Sequence, residues 1–157
     1  MRLNRLRLSN FRLHVDTIID FEAGLTGIIG PNGSGKTTIL EAIAWALYGM
    51  PAVRGKRQDI RSLAAPGRAG VKVELDFELA SHRYRVVRSL STAELFLDGA
   101  AAPIANSTTS VTDLVRRRLP VRQVHLHHVP HGEIHARLDS RARHFEHELV
   151  LARAVGL

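Results

Sequence analysis

From Val71 to Leu79 the chain alternates apolar and polar residues at every position. A period of two places one set of side chains on a core and the other in water, so this segment predicts a strand of a half-wet antiparallel sheet. His82 to Arg88 follows across a short turn at Ala80-Ser81, and Glu94-Leu95-Phe96-Leu97 follows again, ended by Asp98-Gly99. Together they predict a β meander. Upstream, Arg2 to Leu8 alternates less regularly and reads as an opening strand punctuated by Ser9-Asn10. Asp16 to Phe21 reads as a second strand, and Ala23-Gly24 turns into a third, Leu25 to Ile29. These form two hairpin-like strands ahead of a buried one. Thr38 to Tyr48 is apolar nearly all round and predicts a buried helix, stopped by Gly49 and Pro51. Residues 50–70 are basic and marked by Gly and Pro, which predicts an exposed loop. Ser107 to Arg118 predicts a helix with a capping signature at Ser110-Val111-Thr112-Asp113 and a basic C-terminal turn, closed by Pro120. Val121 to Val129 reads as a strand. From Ser140 onward, Phe145, Leu149 and Ala152 fall on one helical stripe.

Between the third strand and the first helix lies Gly30-Pro31-Asn32-Gly33-Ser34-Gly35-Lys36-Thr37, a complete G-x-x-x-x-G-K-[ST] phosphate-binding loop. Its mechanism explains its residues. Glycines let backbone N–H groups turn inward onto phosphate oxygens, Lys36 brings a cation to the β- and γ-phosphates, and the Thr37 hydroxyl can hold Mg²⁺. The following helix points the positive end of its dipole at the same place. Strand, loop and helix in this order are the context the motif requires, so a nucleoside triphosphate with Mg²⁺ is the first ligand expected.

Composition narrows the setting. The chain has 157 residues, 45% of them hydrophobic, enough for one domain with a core. No apolar run is long enough to span a membrane, and the N-terminus has no continuous apolar segment of the signal-peptide kind. Cysteine is absent, which excludes disulfides and thiolate metal sites and fits a cytoplasmic setting. The net charge of +7 favours a polyanionic partner. Equally, arginine outnumbers lysine 19 to 3, a bias that a GC-rich genome produces on its own. Arg54, Lys56, Arg57, Arg61 and Arg68 form either a DNA-facing patch or a solvated loop, and no aromatic residues interleave to stack on bases.

Assembled, these segments resemble the N-terminal head lobe of the SbcC/Rad-type family, the SMC-like, ABC-class ATPases of DNA double-strand-break repair. Ser9-Asn10-Phe11-Arg12 closes the first strand as in that family. Gly30 to Thr38 with Ile39-Leu40-Glu41-Ala42-Ile43 matches its phosphate loop and helix, and Phe77-Glu78-Leu79 with Tyr84-Arg85-Val86-Val87-Arg88 matches its meander. His131-Gly132-Glu133-Ile134 stands where the family has Gln-Gly-Glu-Ile. The recombination ATPase RecF shares the first half and is the runner-up, with a degenerate, non-hydrolysing nucleotide-binding module as a third reading. The resemblance implies an α/β fold: a P-loop NTPase, the N-terminal lobe of an ABC-type head, with a mixed sheet and an antiparallel β meander. Residues 1–157 would be a single lobe that stops short of the family's coiled coil.

The resemblance also implies roles. Arg12 would approach the phosphates. Asn32, Gly33, Ser34, Gly35, Lys36, Thr37 and Thr38 would bind ATP, with Thr37 on Mg²⁺. Ser62, Leu63 and Ala64 would lie beside the nucleotide. His131 replaces the Gln that contacts Mg²⁺ and the attacking water, and imidazole suits Mg²⁺ less well than an amide oxygen. The family's Walker B Asp-Glu pair, signature loop and zinc hook are not in this sequence. ATP hydrolysis would therefore need a C-terminal lobe and a homodimer of heads, with DNA and an SbcD-like nuclease subunit as partners. Finally, seven of the nine histidines fall between His125 and His147. His131 with His135, or His144 with His147, could share a helix face and hold Zn²⁺ or Ni²⁺. The other reading is unliganded histidines, since no carboxylate or cysteine completes a ligand set.

Overall fold

A computed structural model describes residues 1–118, apart from the Leu25 side chain, and the backbone of 126–129 and 149–153. Five strands form one antiparallel sheet in the order β2-β1-β4-β5-β6: β1 is Arg2–Phe11, β2 His14–Asp20, β4 Lys72–Leu79, β5 His82–Ser89 and β6 Ala93–Leu97. The meander is therefore β4, β5 and β6, as the alternation predicts. Val73, Leu75 and Phe77 of β4 face inward, as do Tyr84, Val86 and Arg88 of β5, and all are buried. The irregular alternation of β1 has a physical cause: its register against β4 shifts between Leu3 and Arg5. Such a bulge changes the parity of the side chains on either side of it. Ser9-Asn10 does not end this strand. Asn10, at φ +54°, stays in the sheet by donating through Nδ2 to the carbonyl of Gly70 at 2.9 Å, and the turn comes at Arg12-Leu13.

The helix α1, Lys36–Tyr48, covers the inward face of this sheet. It begins two residues before the sequence expectation and ends as expected, with the Gly49 N–H bonded to the Trp45 carbonyl at 2.8 Å. Its buried side chains, Ile39, Leu40, Ala42, Ile43, Trp45, Ala46 and Leu47, occupy most of its circumference. They can do so because the second helix, α2 (Thr108–Arg118), adds Val111 and Val115 to the same core. Phe11 packs on Trp45 with ring centroids 5.4 Å apart. The end of β1 is thereby fixed against α1.

Strand β3, Leu25–Ile28, lies outside the five-stranded sheet. It pairs with β8 (Leu149–Arg153), which pairs with β7 (Leu126–Val129), both antiparallel. The pairing of Gly27 with Leu151 overturns the expected helix at Leu149 and Ala152. A short apolar run is ambiguous between helix and strand, and a partner edge far away in sequence decides it. Every strand pair among the described residues is antiparallel, so the parallel component of the expected mixed sheet is not seen there. Two further details differ. The α2 cap is Ser107, whose Oγ accepts from the Ser110 N–H at 3.1 Å while Ser110 Oγ accepts from the Ser107 N–H at 3.1 Å, one turn earlier than the expected signature. Residues 50–70 are not wholly loop: Met50–Ala52 and Arg57–Ile60 form 3₁₀ turns, and Ile60 is fully buried.

Candidate functional site: the phosphate loop and the turn beside it

The phosphate loop joins β3 to α1. Gly33 and Gly35 have φ of +82° and +93°, a region that L side chains avoid, so the path of the loop depends on glycine at both. Asn32, Gly33, Ser34 and Thr37 are exposed, and Gly35 is buried. Lys36 is the buried cation of the site. It is 5% exposed, and its Nζ donates to the carbonyls of Gly30 at 2.7 Å and Pro31 at 2.9 Å. Both partners are neutral, and among the described residues no carboxylate pairs with it. The first turn of α1 holds no acidic residue and no side-chain cap. Open N–H groups, the positive end of a helix dipole and a buried ammonium held by carbonyls are a donor set that fits an anionic phosphate chain. The exposed Thr37 hydroxyl offers the hard oxygen that Mg²⁺ prefers.

Arg12 sits in the β1–β2 turn at φ +50°. Its backbone N–H donates to the Ile60 carbonyl at 2.7 Å. Its Nη2 donates to Glu41 Oε1 at 2.8 Å and to the Arg54 carbonyl. Its Nε lies 2.8 Å from Glu41 Oε2 as an ion pair, without the alignment of a hydrogen bond. Glu41 Oε1 also accepts the Arg54 N–H at 2.7 Å. The guanidinium expected near the phosphates is thus tethered to the second turn of α1. The segment of Ser62, Leu63 and Ala64 is tied to the same strand end: Phe11 bridges Arg61, and the Ser62 N–H donates to the Asn10 carbonyl at 2.9 Å. Ser62 is buried, Ala64 is exposed and the Leu63 side chain stands fully in solvent. The chain therefore gathers Arg12, the Ser62–Ala64 segment and α1 around one end of β1. His131 and the further histidines from 131 to 147 lie outside the described residues. Among the described residues no group of three or more His, Cys, Asp or Glu is arranged to hold a metal ion.

Two residues join the site that the pattern of the sequence did not single out. His14 opens β2 with Nε2 3.3 Å from the Gly35 carbonyl. Glu41 is the counter-ion of Arg12. A cleft of about 680 Å³ lies elsewhere, on the outer sheet face beside Arg2, Asp76, Glu78, Arg83, Arg85 and Glu94. Its charges neutralise one another, as in Arg85–Asp76 at 2.7 Å and Arg2–Glu78 at 3.1 Å, which leaves no net charge to recruit an ionic ligand.

A family profile described as an AAA domain matches residues 5–118. The chain belongs to this AAA-domain family. The AAA-domain chain is 36% identical over 141 residues to the protein named DNA double-strand break repair Rad50 ATPase of Methanocaldococcus jannaschii, covering 85% of this chain and 13% of that relative. To the protein of the same name in Pyrococcus abyssi it is 30% identical over 152 residues, or 89% of this chain and 17% of the relative. To the chromosome partition protein Smc of Lactiplantibacillus plantarum it is 42% identical over 89 residues, or 52% and 8%. The solved SMC head domain from Thermotoga maritima aligns with a TM-score of 0.49 at 26% identity, covering 74% of this chain and 42% of that one. The sequence likeness to the Rad50 relatives, over 85% and 89% of this chain, extends well beyond the phosphate loop. The chain spans less than a fifth of the length of the Rad50 relatives it matches.

Proposed function

We propose that this chain is the ATP-binding N-terminal lobe of an SbcC-like, SMC-class DNA repair ATPase. The observation that carries the reading is Lys36, a buried ammonium with no counter-ion among the described residues, at the open N-terminus of α1 and inside a complete phosphate-loop motif. The backbone from Asn32 to Thr38 wraps the triphosphate. Lys36 leaves the Gly30 and Pro31 carbonyls for the β- and γ-phosphates, and Thr37 holds Mg²⁺. Bound Mg²⁺ supplies the charge neutralisation that phosphoryl transfer requires. Arg12 turns from Glu41 toward the phosphates when nucleotide enters, and Ser62, Leu63 and Ala64 line its approach. His131 takes the place of the family's water-contacting Gln. Relatives named as Rad50 and Smc proteins support this class over the RecF-like alternative.

Hydrolysis of ATP to ADP and phosphate belongs to the assembled head, with a C-terminal lobe completing this one, a second head closing over it, and DNA and an SbcD-like nuclease as partners. Among the described residues no helix is long and apolar enough to cross a membrane. The test is binding of Mg-ATP to the chain and to Lys36→Ala. The expected result is a loss of about ten- to a hundredfold in affinity, the worth of a charge-assisted contact. Equal binding by the two proteins, or none by either, overturns the reading. Turnover by the isolated chain that Lys36→Ala abolishes would overturn the assignment of hydrolysis to the assembled head.

A further inference from the structure

Both ring nitrogens of His14 are engaged. Nε2 is 3.3 Å from the Gly35 carbonyl and Nδ1 is 3.0 Å from Thr17 Oγ1. A carbonyl oxygen only accepts, so Nε2 carries the proton. In that tautomer Nδ1 accepts from the Thr17 hydroxyl. Thr17 itself is held opposite Leu8 in the β1–β2 ladder, so the ring is anchored to a sheet and not to a loop.

We infer that His14 is a positioning residue of the phosphate loop, its Nε2–H fixing the peptide between Gly35 and Lys36. This rests on the nucleotide-binding reading above. The Gly35 carbonyl receives two donors, His14 and the Ile39 N–H at 3.1 Å that begins the α1 ladder. Two donors on one oxygen fix the plane of that peptide. In a trans peptide the N–H points opposite to the carbonyl, so the Lys36 N–H is turned out of the helix end, where a phosphate oxygen would accept it. Gly35 needs such a restraint because glycine at φ +93° has no side chain to confine it. The ring also occupies the space a side chain would take: a Cβ on Gly35 would lie 2.7 Å from Nε2. The β1–β2 hairpin thus holds α1 at two points, through Arg12 on Glu41 and through His14 on the N-cap Gly35.

The test compares Mg-ATP affinity in His14→Ala, His14→Gln and His14→Asn. The amide nitrogen of Gln stands about where Nε2 does, whereas that of Asn reaches only as far as Nδ1. Affinity is expected to fall about three- to tenfold in His14→Ala and in His14→Asn, and to return to within about twofold of the parent in His14→Gln. Thermal melts establish that each variant is folded. Long-range ¹H–¹⁵N spectra of the ATP-free protein read the contact directly. The expected result is an Nε2–H tautomer, with the Gly35 and Lys36 amide resonances moved by His14→Ala and restored by His14→Gln. Unchanged affinity in His14→Ala, or an Nδ1–H ring, overturns the inference. If neither the parent nor Lys36→Ala binds Mg-ATP, the nucleotide reading falls by itself, and the spectra still decide whether His14 holds Gly35.

Discussion

Arg12 and Glu41 form a shielded ion pair, their side chains 21% and 11% exposed, that ties the β1–β2 turn to α1. Glu41 holds the Arg54 N–H as well, so a single carboxylate gathers the turn, the helix and the basic loop. Removing it in Glu41→Ala leaves a mostly buried guanidinium without its anion, a change expected to destabilise the fold by about 1–3 kcal/mol. The melting midpoint should drop by roughly 3–10 °C. Glu41→Gln keeps an acceptor for Nη2 and for Arg54 and should lose less. A melt of Glu41→Ala matching the parent would mean that the pair is structurally idle.

Gly35→Ala tests the loop from the other side. The substitution adds a Cβ 2.7 Å from His14 Nε2 at a backbone φ of +93°. Backbone strain alone is worth about 1–3 kcal/mol. The loop is expected to escape by changing conformation, so Mg-ATP affinity should fall more than stability does. Calorimetry beside a binding titration separates the two.

Arg88 is the least expected member of the core. Its position on the inward parity of β5, after Tyr84 and Val86, places it at 2% exposure, and among the described residues no carboxylate pairs with it. Nε donates to the Ala46 carbonyl at 2.9 Å and Nη2 to Thr112 Oγ1 at 3.1 Å. It therefore caps the C-terminal turn of α1 and bonds α2, and burial lowers its pKa to about 10. Arg88→Ala is expected to destabilise by about 2–4 kcal/mol through lost packing and an unsatisfied carbonyl. Arg88→Lys cannot span both partners and should recover little. Urea titrations decide it.

At Asp98 the carboxyl is held below the ordinary carboxylate range by the Arg83 backbone N–H first and by His82 second. A depressed folded-state pKa means that the unfolded chain binds the proton more readily. The contribution of this group is thus present above the ordinary carboxylate pKa and lost as pH falls through the folded value. Asp98→Asn should flatten the acid limb of a stability curve taken from pH 6 to pH 2 and leave the limb above neutrality unchanged. An acid limb as steep as the parent's would show that Asp98 does not contribute to it.

The β4–β6 meander was legible because alternation is local: β4 and β5 need no knowledge of distant residues to declare their faces. The phosphate loop was legible because its chemistry demands contiguous residues. What stayed hidden is long-range. The strand at Leu149–Arg153 exists through pairing with β3, more than a hundred residues earlier. His14 shows no pattern of its own, and its role depends on a carbonyl 21 residues away. Glu41 reads as one polar position in an apolar helix until Arg12 is brought to it. Arg88 carried the one signal that could have been used, a charge on the apolar parity of a strand.

Leu63 separates binding from folding. Its side chain is fully exposed, in a segment anchored through Ser62 to the end of β1. A leucine placed wholly in water contributes almost nothing to the folded core, so Leu63→Asp should change stability by less than about 0.5 kcal/mol. If the segment lies beside the nucleotide, the same substitution replaces an apolar contact with a carboxylate close to a triphosphate. Coulomb repulsion adds to the lost contact, and Mg-ATP affinity should fall by roughly fivefold or more at low salt, less at high salt. Leu63→Ala loses the contact without the charge and should show a smaller, salt-independent deficit. Unchanged affinity in both variants would place the segment away from the nucleotide and leave Lys36, Thr37 and Arg12 as the side chains of the site.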